Sequence, residues 1–285
     1  MEISGYIPSG SDALYATLYQ PDENASDCGL VLVPPFGQEA KSTVRVYTRL
    51  ARRLVTSGHA CIRFDLRGTG DSTGDHAAVT LQHWLADIQS VMQTVTAGEL
   101  PNGRHARWGL LGVRLGATLA SQVAPAVNAA YLALLEPVPN GSAYLEDLLR
   151  RRAIRAAMSG SDGQSEQADP RAEWDAGGCV DFGAFPVNAQ LARDLRGCEL
   201  GTALTQLGEA MPIGLFRVAA TERLTGPWGP LFEAVDTRRG GTAEVLRDKP
   251  FWGQIEYYES DVVLERINRW LSAIALESTE QPCTS

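Results

Sequence analysis

Residues 112–116 read Gly-Val-Arg-Leu-Gly. An apolar run, Trp108 to Leu111, leads into them, and small and apolar residues (Ala117, Leu119, Ala120) follow. A Gly-x-X-x-Gly stretch between a strand and a helix makes a sharp turn. Its tip residue takes a strained backbone, and the residues two away must be small so that strand and helix can approach. Such a turn lifts one side chain clear of the sheet, and when that residue is serine it is a nucleophile for acyl transfer. Here it is Arg114. A guanidinium with a pKa above ~12 neither attacks a carbonyl nor accepts a proton. What it offers is a planar cation that holds a carboxylate, phosphate or sulfate.

The elements that must position Arg114 follow from hydrophobic patterning. "ALYATLYQP" (13–21) alternates and reads as a half-buried strand, "GLVLVPPF" (29–36) is a continuous apolar run, as in a strand buried on both faces, and "ACIRFDL" (60–66) reads as a second buried strand. Val44, Tyr47, Leu50, Ala51 and Leu54 recur at helical spacing over 43–57, and 81–95 repeats the pattern. Strands follow at 130–138, 212–220 and 241–248, and a closing helix over 261–276 places Val262, Leu264, Ile267, Leu271 and Ile274 on one face. Strand and helix alternate, which predicts a mostly parallel sheet with helices on both faces. The alternation breaks at 139–205, where an arginine-rich helix (144–158) leads into a polar stretch, 159–170, expected to be an exposed loop. The division expected is a core of 1–138 and 206–285, with 139–205 a helical, lid-like insert.

Composition narrows the function. The 285 residues are 44% hydrophobic and carry a formal net charge of −9, which argues against a nucleic-acid surface and leaves room for one local anion pocket. No apolar run reaches the length of a membrane span and no secretory signal is visible, so the cytoplasm is expected. Five scattered cysteines form no metal-ligand spacing, so no metal is expected. The glycines of "RFDLRGTGDSTGD" (63–75) are one residue too widely spaced for a dinucleotide loop, and no cofactor is expected.

The chain resembles the α/β-hydrolase superfamily, and within it the group called exosortase A system-associated hydrolase 2. The resemblance rests on "LVLVPPFGQEAKST" (30–43), "FDLRGTGDSTGDHAAVTLQHWLADI" (64–88), "WGLLGVRLGATLA" (108–120) and "LEPVPNGSAYLEDLLRRRAI" (135–154). It extends, more weakly, to "FGAFPVNAQLARDL" (182–195) and "DKPFWGQIE" (248–256). It implies a bacterial protein with the α/β-hydrolase fold, found beside a second protein of that fold where surface proteins are exported and sorted. It also implies a catalytic order of nucleophile, acid, histidine. Glu222 stands at the acid's position, but no histidine follows the last strand. All four histidines precede the elbow: His59 and His105 at strand starts, far from the site, and His76 and His83 at a loop and helix start where solvation is expected. The oxyanion amides of the superfamily correspond to Phe36 or Gly37, and to Leu115.

Ordinary Ser-His-acid hydrolysis is therefore expected to be absent. Two readings of the pocket stay open. Arg114 pairs with a carboxylate, Glu136 at the end of the neighbouring strand being the expected partner, or Arg114, the amides and the helix start at Leu115 bind an anionic or acyl ligand. The protein is then a pseudo-hydrolase that binds such a ligand or a partner, the second hydrolase-fold protein among the candidates. The alternative is an enzyme of altered chemistry on an acyl, ester, thioester or anionic substrate, with Arg114 and the amides as electrophiles.

Overall fold

A computed structural model describes residues 1–22, 25–98, 107–159, 169–254 and 258–279. Eight strands form one sheet: β1 (Glu2–Ser9), β2 (Asp12–Tyr19), β3 (Cys28–Val33), β4 (Ala60–Phe64), β5 (Arg107–Val113), β6 (Leu132–Leu135), β9 (Ile213–Ala219) and β10 (Gly241–Arg247). Their order is β1-β2-β4-β3-β5-β6-β9-β10. β1 and β2 pair antiparallel, as do β2 and β4, and every pairing from β4 through to β10 is parallel. All six residues of β3 are buried, which is why it reads as an unbroken apolar run.

Side-chain alternation sends Leu30 and Leu32 to one face of the sheet and Val31 and Val33 to the other. The first face packs against helix α1 (Gln38–Thr56), through Tyr47, Leu50 and Leu54, and against the closing helix α9 (Asp261–Thr279), through Ile267 and Leu271. The second packs against α2 (Leu81–Thr96) and α3 (Leu115–Val123), with Ile88, Val91, Leu119 and Val123 in its core. The expected apolar face of α9 is off by one position at its start: Val263 is buried there, whereas Val262 is 46% exposed. Helix α1 begins five residues before the expected 43, because Gly37, at φ 67°, makes the turn that starts it.

Between β6 and β9 lie α4 (Gly141–Ser159), α5 (Pro170–Asp175), a hairpin of β7 (Cys179–Asp181) and β8 (Pro186–Asn188), α6 (Ala189–Arg196) and α7 (Leu200–Thr205). Helix α8 (Trp228–Asp236) joins β9 to β10. Trp174 of α5 stacks on Phe182 and donates from its indole to the Val187 carbonyl at 2.8 Å, and these residues continue the core of the second sheet face. His105 and residues 160–168 of the expected loop lie outside the described residues.

The chain leaves β3 toward β4 on one side and returns to β5 on the other. This reversal opens a crevice beyond the carboxyl ends of β3 and β5, where ligands of open α/β sheets bind. The turn from β5 into α3 sets its depth. A Cβ on Gly116 would sit 2.4 Å from the Pro34 carbonyl oxygen, and one on Gly112 2.4 Å from the Ala117 backbone. Gly116→Ala should therefore cost about 3 kcal/mol or more in chemical denaturation, as overpacking against backbone does. Gly201→Ala in α7, where a Cβ meets nothing within 4 Å, should be neutral or stabilising.

Candidate functional site

Arg114 adopts φ 55° and ψ −125°. Its amide donates to the Leu135 carbonyl at 3.1 Å, and its own carbonyl accepts from Ala117 (3.1 Å) and Val138 (3.3 Å). The strained turn is thus fixed from both the helix side and the β6 side. The side chain is only 13% exposed. Its Nε donates to Glu39 Oε1 at 3.2 Å, and its Nη1 makes a long contact of 3.5 Å to the Glu136 carbonyl oxygen. The guanidinium carbon lies 5.8 Å from the Tyr144 ring centre and 5.5 Å from that of Trp252. The cation is therefore flanked by two aromatic rings and paired with one carboxylate.

Glu39 gathers the elements around it. It is the second residue of α1 and is 2% exposed. Besides Arg114 it accepts from the Tyr144 hydroxyl at 3.2 Å and from Arg151 Nη1 at 3.5 Å, both on α4. Burial alone would depress the pKa of Arg114. The charge of Glu39, with Tyr144 and Glu136 behind it, reverses that and holds the pKa above its ordinary value. Burial, with Glu39 beside it, pushes the Tyr144 phenol well above its usual range, so the hydroxyl stays a donor.

The expected partner of Arg114 was Glu136, and the structure corrects this. Glu136 follows β6 with φ 43°, and this turn carries its carboxylate across to β9, where Oε2 accepts from the Val218 amide at 2.7 Å. Burial raises the Glu136 pKa against the pull of that amide and of Arg114 and Arg217. Glu222 is exposed on the loop after β9. Trp252 lies between β10 and α9, on the segment where a catalytic histidine was expected and is absent from the sequence.

A cleft of about 740 Å³ opens above this layer. Phe36 and Gly37 line it, whereas Arg114 and Leu115 are not among its lining residues. Its cations are Lys41 and Arg45 from α1 and Arg151 and Arg155 from α4, against the single carboxylate Glu39 among the described lining residues. The site therefore has a floor, the Arg114–Glu39 pair, and a wall rich in cations, of which Arg151 pairs with Glu39 and with Asp147 of its own helix. Among the described residues no cluster of three or more His, Cys, Asp or Glu has metal-binding geometry.

The family model for X-Pro dipeptidyl-peptidases (S15) matches residues 9–178, more than half of the chain. The chain belongs to that family. Among solved structures, this S15-family chain is similar to Est1E from Butyrivibrio proteoclasticus with ferulic acid bound (17% identity, 97% of this chain and 100% of that one, TM-score 0.64). It is similar also to a proline iminopeptidase from Mycobacterium smegmatis (16%, 97% and 100%, TM-score 0.63). A third match is a proline iminopeptidase-related protein from Thermus thermophilus (21%, 97% and 99%, TM-score 0.61). These likenesses establish the α/β-hydrolase fold for the S15-family chain and say nothing of its substrate. No curated protein matches its sequence.

Sequence reasoning missed Glu39, Tyr144 and Arg151, and it misread His76. His83 is exposed and caps α2 with Thr80. His76 is half-buried, its ring edge-on to Phe36 (6.4 Å between centres) and Phe185 (5.8 Å). Its Nε2 is buried and has no hydrogen-bond partner among the described residues. Burial lowers the His76 pKa despite the nearby Asp181 and Asp75.

Two outcomes follow. Arg114→Met should cost about 3 kcal/mol by leaving Glu39 poorly compensated in a buried site. Arg114→Met with Glu39→Gln should recover much of that loss, while pairing it with Glu136→Gln should not; a denaturant double-mutant cycle tells them apart. For His76, the unfolded chain binds its proton first, near pH 6.5, and the folded protein only at lower pH. Stability should fall as the pH drops below about 6.5, and His76→Gln should remove that part of the fall in melts recorded between pH 7 and 5.

Proposed function

We propose that this chain is a pseudo-hydrolase: an α/β-hydrolase-fold protein that binds an anionic or acyl ligand in its cleft and does not hydrolyse by Ser-His-acid chemistry. The observation that carries the reading is the Arg114–Glu39 pair. The elbow tip, where a nucleophile must stand, is occupied by a cation already engaged by a buried carboxylate and two aromatic rings. A serine hydrolase of this fold also needs a base in reach of its hydroxyl, and the segment after the last strand offers Trp252 instead. The X-Pro dipeptidyl-peptidase activity that names the family is accordingly not assigned to this chain.

The ligand site is the basic wall. Segment 139–205 acts as a lid, contributing Arg151 and Arg155 through α4, and the core contributes Lys41 and Arg45. Four cations in a partly enclosed cleft draw in an anion, and the low dielectric of the walls strengthens the attraction. The other reading, an enzyme using Arg114, Leu115 and the amides of Phe36 or Gly37 as electrophiles, asks Arg114 to face the substrate. The cover of Glu39, Tyr144 and Trp252 favours the binding role. Glu136 and Glu222 take no part in the ligand site of this proposal. The resemblance to the exosortase A system-associated hydrolase 2 group supports a cytoplasmic, bacterial setting with the second hydrolase-fold protein as partner. Among the described residues no helix is long and apolar enough to cross a membrane.

A fluorophosphonate probe should leave the purified protein unlabelled, and Arg114→Ser should turn over p-nitrophenyl acetate no faster than Arg114→Ala. Sulfate should raise the melting temperature of the wild type by mass action on the folded state, and less so in Lys41→Gln or Arg155→Gln. Labelling, or turnover by Arg114→Ser well above the alanine variant, would overturn the pseudo-hydrolase reading. Equal sulfate shifts in all three proteins would overturn the anion site.

A further inference from the structure

Beside the cleft lies a second cavity of about 180 Å³, reaching from the turn after β3 toward the end of β4. Phe36, Gly37 and Lys41 line both spaces, so the two meet at the same short stretch of chain. The chemistry of their walls differs sharply. Where the cleft presents cations, the cavity presents Pro34, Ala40, Val44, Phe64, Trp84 and Phe185. Its polar groups include Arg63 and Asp65, whose charges lie 3.6 Å apart as a pair. Lys41 stands at the junction, its Nζ 5.1 Å from the centre of the Phe185 ring, where a charged head leaving the apolar cavity would meet it.

We infer that the ligand is an anionic amphiphile, a carboxylate whose head rests in the basic cleft beside Lys41 and whose aliphatic tail fills the apolar cavity. The inference rests on the proposed anion-binding role of the cleft and adds the tail. Volume sets the tail's length: at the roughly 30 Å³ that a water-sized group occupies, the cavity takes about six carbons. A mostly apolar cavity of this size gains from being filled by a tail, because apolar lining atoms gain dispersion partners and the tail leaves water. A purely inorganic anion would use only half of this site, and an uncharged hydrocarbon would make no use of Lys41 at the junction of the two spaces.

Titration calorimetry with acetate, butanoate, hexanoate, octanoate and decanoate at fixed ionic strength tests the inference. Each methylene should lower Kd about fourfold until the tail reaches roughly six carbons, after which the gain should stop. Hexanol should bind far more weakly than hexanoate. Ala40→Leu, which fills the cavity from α1 without touching the cleft lining, should weaken hexanoate tenfold or more and leave the sulfate-induced rise in melting temperature unchanged. Val44→Phe, at a position already 38% exposed, should do the same and serves if Ala40→Leu folds poorly. A flat chain-length series with sulfate binding intact would overturn the tail and spare the anion site. Hexanol binding as tightly as hexanoate would overturn the head. Loss of both sulfate and carboxylate binding would instead sink the anion-binding role of the cleft on which the inference rests.

Discussion

A buried arginine is tolerable only when its charge is answered close by, and in this protein Glu39 answers Arg114. The pair ties together three parts of the chain that are remote in sequence: the elbow after β5, the first turn of α1, and α4 through Tyr144 and Arg151. Neither charge is at ease without the other, since desolvation works against both and mutual attraction with good hydrogen bonds offsets it. Through Tyr144 and Arg151 this carboxylate helps to hold α4 above the sheet, together with the core packing of Leu145. The pair also divides the site vertically. Beneath it lies the elbow geometry of a hydrolase, and above it lies a basic surface that the elbow does not reach.

Much of this architecture was legible in the sequence, for physical reasons. β3 is buried on both faces, so its apolar run is unbroken; Gly112 and Gly116 are required by backbone approaches that no side chain survives. Arg114 was legible as the tip because those glycines frame it. Its partner was not. A glutamate in the first turn of a helix is common on exposed surfaces, where it complements the helix dipole, and nothing in the local pattern separates a buried one from these. Glu136 looked the better partner by proximity along the sheet, but a positive φ at that residue turned its carboxylate toward β9. Trp252 and Tyr144 are buried aromatics; that their rings also flank a cation depends on tertiary placement alone. The three-residue strands β7 and β8 are too short to show a period.

Charge is distributed against the average. The chain as a whole is acidic by nine charges, yet the described lining of the cleft holds four cations and one carboxylate. An acidic exterior keeps anions at a distance over most of the surface, and a cleft with low-dielectric walls focuses the opposite potential outward. Discrimination then begins before contact, with the cleft as the favoured approach for an anion. Because two of the four cations come from α4, the strength of that potential depends on how closely the helix is held to the core.

The elbow carries one more implication, for how such a fold changes occupation over time. A residue other than glycine at φ 55° costs on the order of 1–3 kcal/mol, and the conformation is held by the hydrogen bond to Leu135, those from Ala117 and Val138, and the glycines on either side. None of these involves the side chain at position 114. Serine and arginine therefore bear nearly the same backbone penalty there, and exchanging one for the other asks no rearrangement of the main chain. The scaffold holds the tip in its raised posture whatever stands on it, so reactivity is a detachable property of this turn: lineages can lose or replace it while the architecture beneath persists unaltered.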